Sequence, residues 1–241
     1  MATPTFSKIV ASSSYGTTST RTLAVISTGS VPSGGLVVVA IATESSATIS
    51  RVYDSASNAD YIVYQQAPGT TSSPGYAALA YLRLTNPLTS SDTITVEFSG
   101  TCTAGIAALA FTDLSDQRVG QNSTRITSST TQSISVTPES GKSGYIISLI
   151  STWAAYDRGT TALSGTTRLL GINPSGVTTW NPDTLNLTYA MQYEVIWKST
   201  EISSSSSVGV DIGAGTIGYH SVAVVLPEYQ ITDFAQIIEM F

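Results

Sequence analysis

Residues Ile94 to Phe111 read ITVEFSGTCTAGIAALAF, and Val208 to Val225 read VGVDIGAGTIGYHSVAVV. The two align without a gap at an offset of 114, with Glu97 opposite Asp211. Apolar and polar residues alternate through Ile94, Val96 and Phe98, the period of a strand with one buried face. A Gly-containing break and a second apolar run follow in both. A chain that carries such a strand pair twice is directed toward two similar β-units.

Two further blocks repeat in the same order. SGKSGYIISLIST (140–152) parallels PSGGLVVVAIAT (32–43) at 109, and YAMQYEVIW (189–197) parallels YAALAYLRL (76–84) at 113. The drift in offset places insertions in loops, which tolerate them better than strands do. Strand-like runs near 6–14, 20–28, 35–43, 48–53, 61–66, 75–83, 92–98 and 104–112 are separated by Gly, Ser, Pro, Asn and Asp clusters. That spacing predicts an all-β fold of two tandem antiparallel β-sandwiches, jelly-roll-like in strand number. The expected divisions are 1–114 and 115–228, with a docking segment at 229–241. The join DLSDQR (113–118) is short and polar, which implies close packing of the repeats. A merged sandwich built from both copies is the alternative architecture.

The last residues change period. Phe234, Ile237, Ile238 and Phe241 stand at i, i+3, i+4 and i+7, with Asp233 and Gln236 placed to cap. A short C-terminal helix is expected, docked on its own sandwich or on a neighbouring subunit. Helices this short need such a dock in water.

Composition limits the partners. Charged residues make up 11% of the chain and the formal net charge is −6. With three lysines and no basic cluster, phosphate backbones and anionic membranes are disfavoured. Cys102 is the single cysteine, so no intrachain disulfide forms. The opening MATPTFSKIV lacks the features of a secretion signal, which predicts synthesis in a cytoplasm.

Reactive motifs are scarce. His220 is the lone histidine and aligns with Ile106, in a strand. No G-x-S-x-G, C-x-x-C, H-E-x-x-H or phosphate loop occurs, so no catalytic residue, metal or cofactor is expected. Glu97, Asp211 and Glu194 fall on strands and read as solvent-face residues rather than a glycosidase pair. DLSD (113–116) and NPD (181–183) read as turn chemistry rather than calcium loops. Trp153, Tyr156 and Trp180 lie in expected loops beside hydrogen-bonding residues, where rings stack on sugars or anchor partners, or else plug the end of the sandwich. Trp197 ends an alternating strand and is expected in the core.

SVPSGGLVVVAIAT resembles a strand entry of tailed-bacteriophage virion proteins, with Gly35 where that pattern carries Asp. DTITVEFSGTCTAGIAALAFTDL resembles the closing strand pair of the same sandwiches. The resemblance implies a non-enzymatic structural protein of a phage virion, such as a capsid decoration or cement protein, a head fibre or a tail component. It implies other virion subunits as partners and a homo-oligomer on the particle. The alternative is a tail-associated or host-adhesion module binding a host-surface glycan through Trp153, Tyr156 and Trp180; a hydrolase ranks behind both.

Overall fold

The computed structural model describes residues 3–43, 47–65, 76–152, 161–173, 176–178, 192–211 and 217–230. Among these, every helix-or-strand element is a strand, and all strand pairs are antiparallel. The all-β sandwich fold expected from the alternation is therefore present. The C-terminal helix expected at Phe234, Ile237, Ile238 and Phe241 lies outside the described residues.

The first half contains β1 (Thr5–Ala24), β2 (Leu36–Thr43), β3 (Ile49–Asp54), β4 (Ile62–Gln65), β5 (Tyr76–Arg83) and β6 (Thr93–Thr112). β1 and β6 are each 20 residues long, about three times the usual strand. They pass from one layer into the next. The start of β1 pairs with the end of β6, which also pairs β2; the end of β1 pairs with the start of β6, which also pairs β3. The result is a large layer ordered β1-β6-β2-β5-β4 and a small layer ordered β1-β6-β3. Eight expected strands become six. The polar stretches that read as loops, around Ser13–Thr20 and Ser99–Thr103, keep their ladder and turn by register breaks at Ser13/Gly16 and Thr18/Thr20.

The second half contains β7 (Gly120–Ser129), β8 (Thr131–Val136), β9 (Gly144–Thr152), β10 (Thr161–Ala162), β11 (Thr167–Asn173), β12 (Gly176–Thr178), β13 (Gln192–Ile202), β14 (Ser206–Asp211) and β15 (Ile217–Leu226). Its large layer runs β7-β15-β9-β13-β11-β12 and its small layer β8-β14-β10. Strand for strand this repeats the first half, with β7 and β8 together standing for β1, β14 and β15 for β6, and β12 added at the edge.

The register revises the sequence alignment. At β14 the offset of 114 holds: Val210 pairs with β8 and β10 as Val96 pairs with β1 and β3. At β15 the facing residues Ala107, Leu109 and Phe111 correspond to Val222, Val224 and Leu226, an offset of 115. His220 therefore matches Gly105, not Ile106. At β13, Trp197 pairs with Ile147 as Tyr81 pairs with Val38, an offset of 116 rather than 113. A one-residue slip would have sent every apolar side chain to the wrong face. Ile212, expected to match Phe98, lies outside the described residues.

Three cores fill the layers. One lies between the layers of the first half, around Val37, Val39, Ile41, Val96 and Ile106. Another lies inside the second half, around Ile134, Ile146, Ile150, Val208 and Val225. The third joins the two large layers face to face and draws on both halves, from Leu36, Val38, Leu79 and Phe111 to Leu149, Val195, Trp197 and Val224. Each half closes its own core, and the two also share one. This explains the unbroken apolar run of β2. All of its residues, Leu36 to Thr43, are 0% exposed, as expected of a strand covered on both faces. Across the shared core the rings of Phe6, Phe111, Trp197 and Tyr145 form a chain, with successive centroids 5.8, 5.2 and 5.6 Å apart. β1 lies over β11 and β12, while β4 lies over β15. Since β11 stands for β4, and β15 adjoins the counterpart of β1, the two halves meet in an approximately two-fold manner.

Candidate functional site

A recess forms beside the segment that joins the halves. The chain leaves β6 through Asp113, at φ 57°. Leu114 then forms a bridge with Glu228, the Ser115 amide donates to the Pro227 carbonyl at 2.9 Å, and the Tyr229 amide donates to the Asp113 carbonyl at 2.7 Å. The Val119 amide donates to the Val225 carbonyl at 2.9 Å, and the Glu139 amide to the Val119 carbonyl at 2.7 Å. A tight turn at Gly141, φ +73°, completes the wall. Three segments (113–119, 138–143 and 227–230) are thus held side by side by main-chain bonds. Between them lies an open groove of about 520 Å³, lined chiefly by Ser115, Gln117, Lys142, Ser143, Glu228 and Tyr229.

The first half closes one end of this region. The Arg83 guanidinium stacks 3.2 Å from the centre of the Tyr229 ring, a cation–π contact. The Arg83 amide donates to the Asp116 carboxylate at 3.1 Å. Nearby, Arg118 reaches the Tyr81 hydroxyl at 3.4 Å and lies over the Tyr64 ring. Polar contacts between linker and first half therefore cluster at the rim of the shared apolar core, to which Tyr81 belongs. Lys142 and Glu228 balance in charge. The remaining polar groups of the wall are neutral.

A second polar feature ties loops of the first half. The Asp54 carboxylate accepts from the Ala56 amide at 3.0 Å, from the Asn58 side chain at 3.1 Å and from the Tyr61 hydroxyl at 3.3 Å. Burial, reinforced by Asp54, pushes the Tyr61 hydroxyl far above the usual tyrosine range, so it remains a donor. The Asn58 side-chain Oδ1 in turn accepts from the Thr85 and Asn86 amides at 2.9 and 2.7 Å. This knot is saturated internally and pins the β3–β4 loop to the β5–β6 loop.

Family models, curated proteins and solved structures offer no match to the chain.

The residues singled out by sequence come together only in part. Trp153, Tyr156, Trp180, Phe234, Ile237, Ile238 and Phe241 all lie outside the described residues, as does NPD (181–183). Glu97 and Asp211 sit on the outer faces of the two small layers, at opposite ends of a four-layer stack. At ~10 Å per layer the stack spans ~30 Å between them, far beyond a glycosidase pair. Glu97 accepts from Tyr53 at 3.2 Å. Glu194 pairs in register with Ile150 and Gly171. Cys102 is buried. His220 is 2% exposed and lies between Arg125 and Ser151 in register. Burial, and secondarily the Arg125 charge, lowers its pKa to about 4, so it is neutral at pH 7. Trp197 is buried, as expected, but in the middle of β13 and in the shared core. Among the described residues no group of three or more His, Cys, Asp or Glu side chains could hold a metal.

The groove itself was not visible in the sequence. Its wall comes from three separated segments with no motif. The nearest signal was Tyr229, an aromatic just past the repeat.

Proposed function

We propose that the chain is a non-catalytic structural component of a tailed-bacteriophage particle, carried on the head surface as a decoration or cement protein. The observation that carries this reading is where the apolar surface goes. Both large layers spend one face on their own sandwich and the other on each other. The outer faces of the small layers carry paired hydroxyls instead, Thr22 with Thr95 at 3.1 Å and Ser135 with Ser207 at 2.7 Å. Ile26, Ile62 and Tyr229 are the exposed large hydrophobic side chains among the described residues. Flat faces rich in hydroxyls and low in charge let copies sit close together on a shell without strong repulsion. This suits a ring or trimer repeated over a particle. The apolar C-terminal set, Phe234, Ile237, Ile238 and Phe241, is the proposed attachment segment.

The test is co-sedimentation with particles produced from the genome that encodes the chain. The full chain is expected to band with heads in a density gradient. A chain ending at Gln230 is expected to stay folded by circular dichroism and remain in the free fraction. A full chain absent from purified particles would overturn the proposal.

A further inference from the structure

We propose that the groove at the junction of the halves binds a neutral saccharide. Its volume, about 520 Å³, falls within the range of small-ligand pockets. Its chemistry excludes simpler ligands. The lining carries one ammonium (Lys142) and one carboxylate (Glu228), and two further carboxylates bond to it, Asp116 to Gln117 and Glu201 to Ser143, so an anionic ligand meets no net positive field. A purely apolar ligand would strand the amides of Gln117 and Gln230 and the hydroxyls of Ser115 and Ser143. A ligand with many hydroxyls and an apolar ring face satisfies both halves of the wall.

Tyr229 supplies the ring. One of its faces is covered by Arg83 at 3.2 Å, yet the residue is 38% exposed. Tyr229 is thus partly open to solvent while it lines the groove. The Arg83 stack fixes the ring before a ligand arrives, which lowers the ordering cost of binding. The polar partners are similarly placed. The Ser115 hydroxyl accepts from the Gln117 amide at 3.0 Å and keeps its proton for a ligand oxygen. The Ser143 hydroxyl donates to Glu201 at 2.5 Å and keeps lone pairs for a ligand hydroxyl. The Gln117 side chain makes one long contact, to Asp116 at 3.4 Å, and is otherwise available to reach inward. The site is built without Trp153, Tyr156 and Trp180, which lie outside the described residues, and it holds whatever position the chain takes on a particle.

The test uses the full chain on an array of neutral glycans, followed by calorimetric titration of the best binder. Saturable binding is expected. Tyr229→Ala should weaken it by about tenfold, and Gln117→Ala by roughly fivefold. Because Gln117 is on the surface, its variant guards against loss of fold in the Tyr229 variant. Trp153→Ala should leave binding unchanged. No binder on the array would overturn the proposal. So would binding that survives both groove substitutions, or that is lost in Trp153→Ala but kept in Tyr229→Ala.

Discussion

Trp197 packs against rings from both halves, 5.2 Å from Phe111 and 5.6 Å from Tyr145. Removing it leaves a void that neither half can close alone. Trp197→Ala is expected to cost about 3–5 kcal/mol, read as a lower midpoint in urea unfolding; a loss under ~1 kcal/mol would show that the shared core tolerates the void. His220 gives a pH signature. An unfolded histidine titrates near 6.5, whereas in the fold it does so at about 4. The folded chain therefore binds fewer protons between these values. Its contribution to stability is complete above pH 6.5 and is lost as pH falls from 6.5 to 4. The expected loss is on the order of 2 kcal/mol, since neighbouring water and relaxation absorb part of the shift. Melting curves of the chain and of His220→Gln across this window should converge as the pH drops, and parallel curves would contradict the assignment.

At the scale of the strand, β14 and β8 approach unusually closely. A Cβ on Gly209 would lie 2.2 Å from the Gln132 carbonyl oxygen and 2.7 Å from the Ser133 Cα. Both are backbone atoms with little room to move. Gly209→Ala is expected to destabilise by about 1–3 kcal/mol. Gly100, where a Cβ meets nothing within 4 Å, should accept alanine within about 0.5 kcal/mol. Thermal melts of the two variants side by side check the contrast. The strands themselves were legible because alternation through Ile94, Val96 and Phe98 is a direct imprint of one buried face. The bends were not. A bulge and a loop look alike in polar sequence, so β1 and β6 each read as two strands. The unbroken run from Leu36 to Ala42 is the pattern of a strand buried on both faces, but it was read only as one strand among eight, and a sequence does not say what covers the second face. Registers at β13 and β15 were misplaced because the insertions sit close to the strands. The groove was illegible for a different reason: its polar wall obeys no period, and only the fold brings Gln117, Lys142 and Tyr229 together.

For the whole molecule, the shared core couples the halves. The expected outcome is one cooperative unfolding transition, with calorimetric and van't Hoff enthalpies equal. Two resolved transitions would mean that Leu36, Val38, Trp197 and Val224 contribute little to the joint fold. The same core sets an order of events during synthesis. The face made of Leu36, Val38, Ala40, Leu79 and Phe111 is complete once β6 has emerged, but its cover ends only at Leu226. At ~5–20 residues per second of translation, the delay is roughly 6–23 s. For that interval each ribosome displays an apolar sheet made to fit its own next half. Neighbouring ribosomes on one message display the same sheet. The approximately two-fold fit lets two such nascent halves pair with each other before either meets its proper cover, so slower decoding across residues 115–226 would raise the yield of chains joined wrongly in pairs.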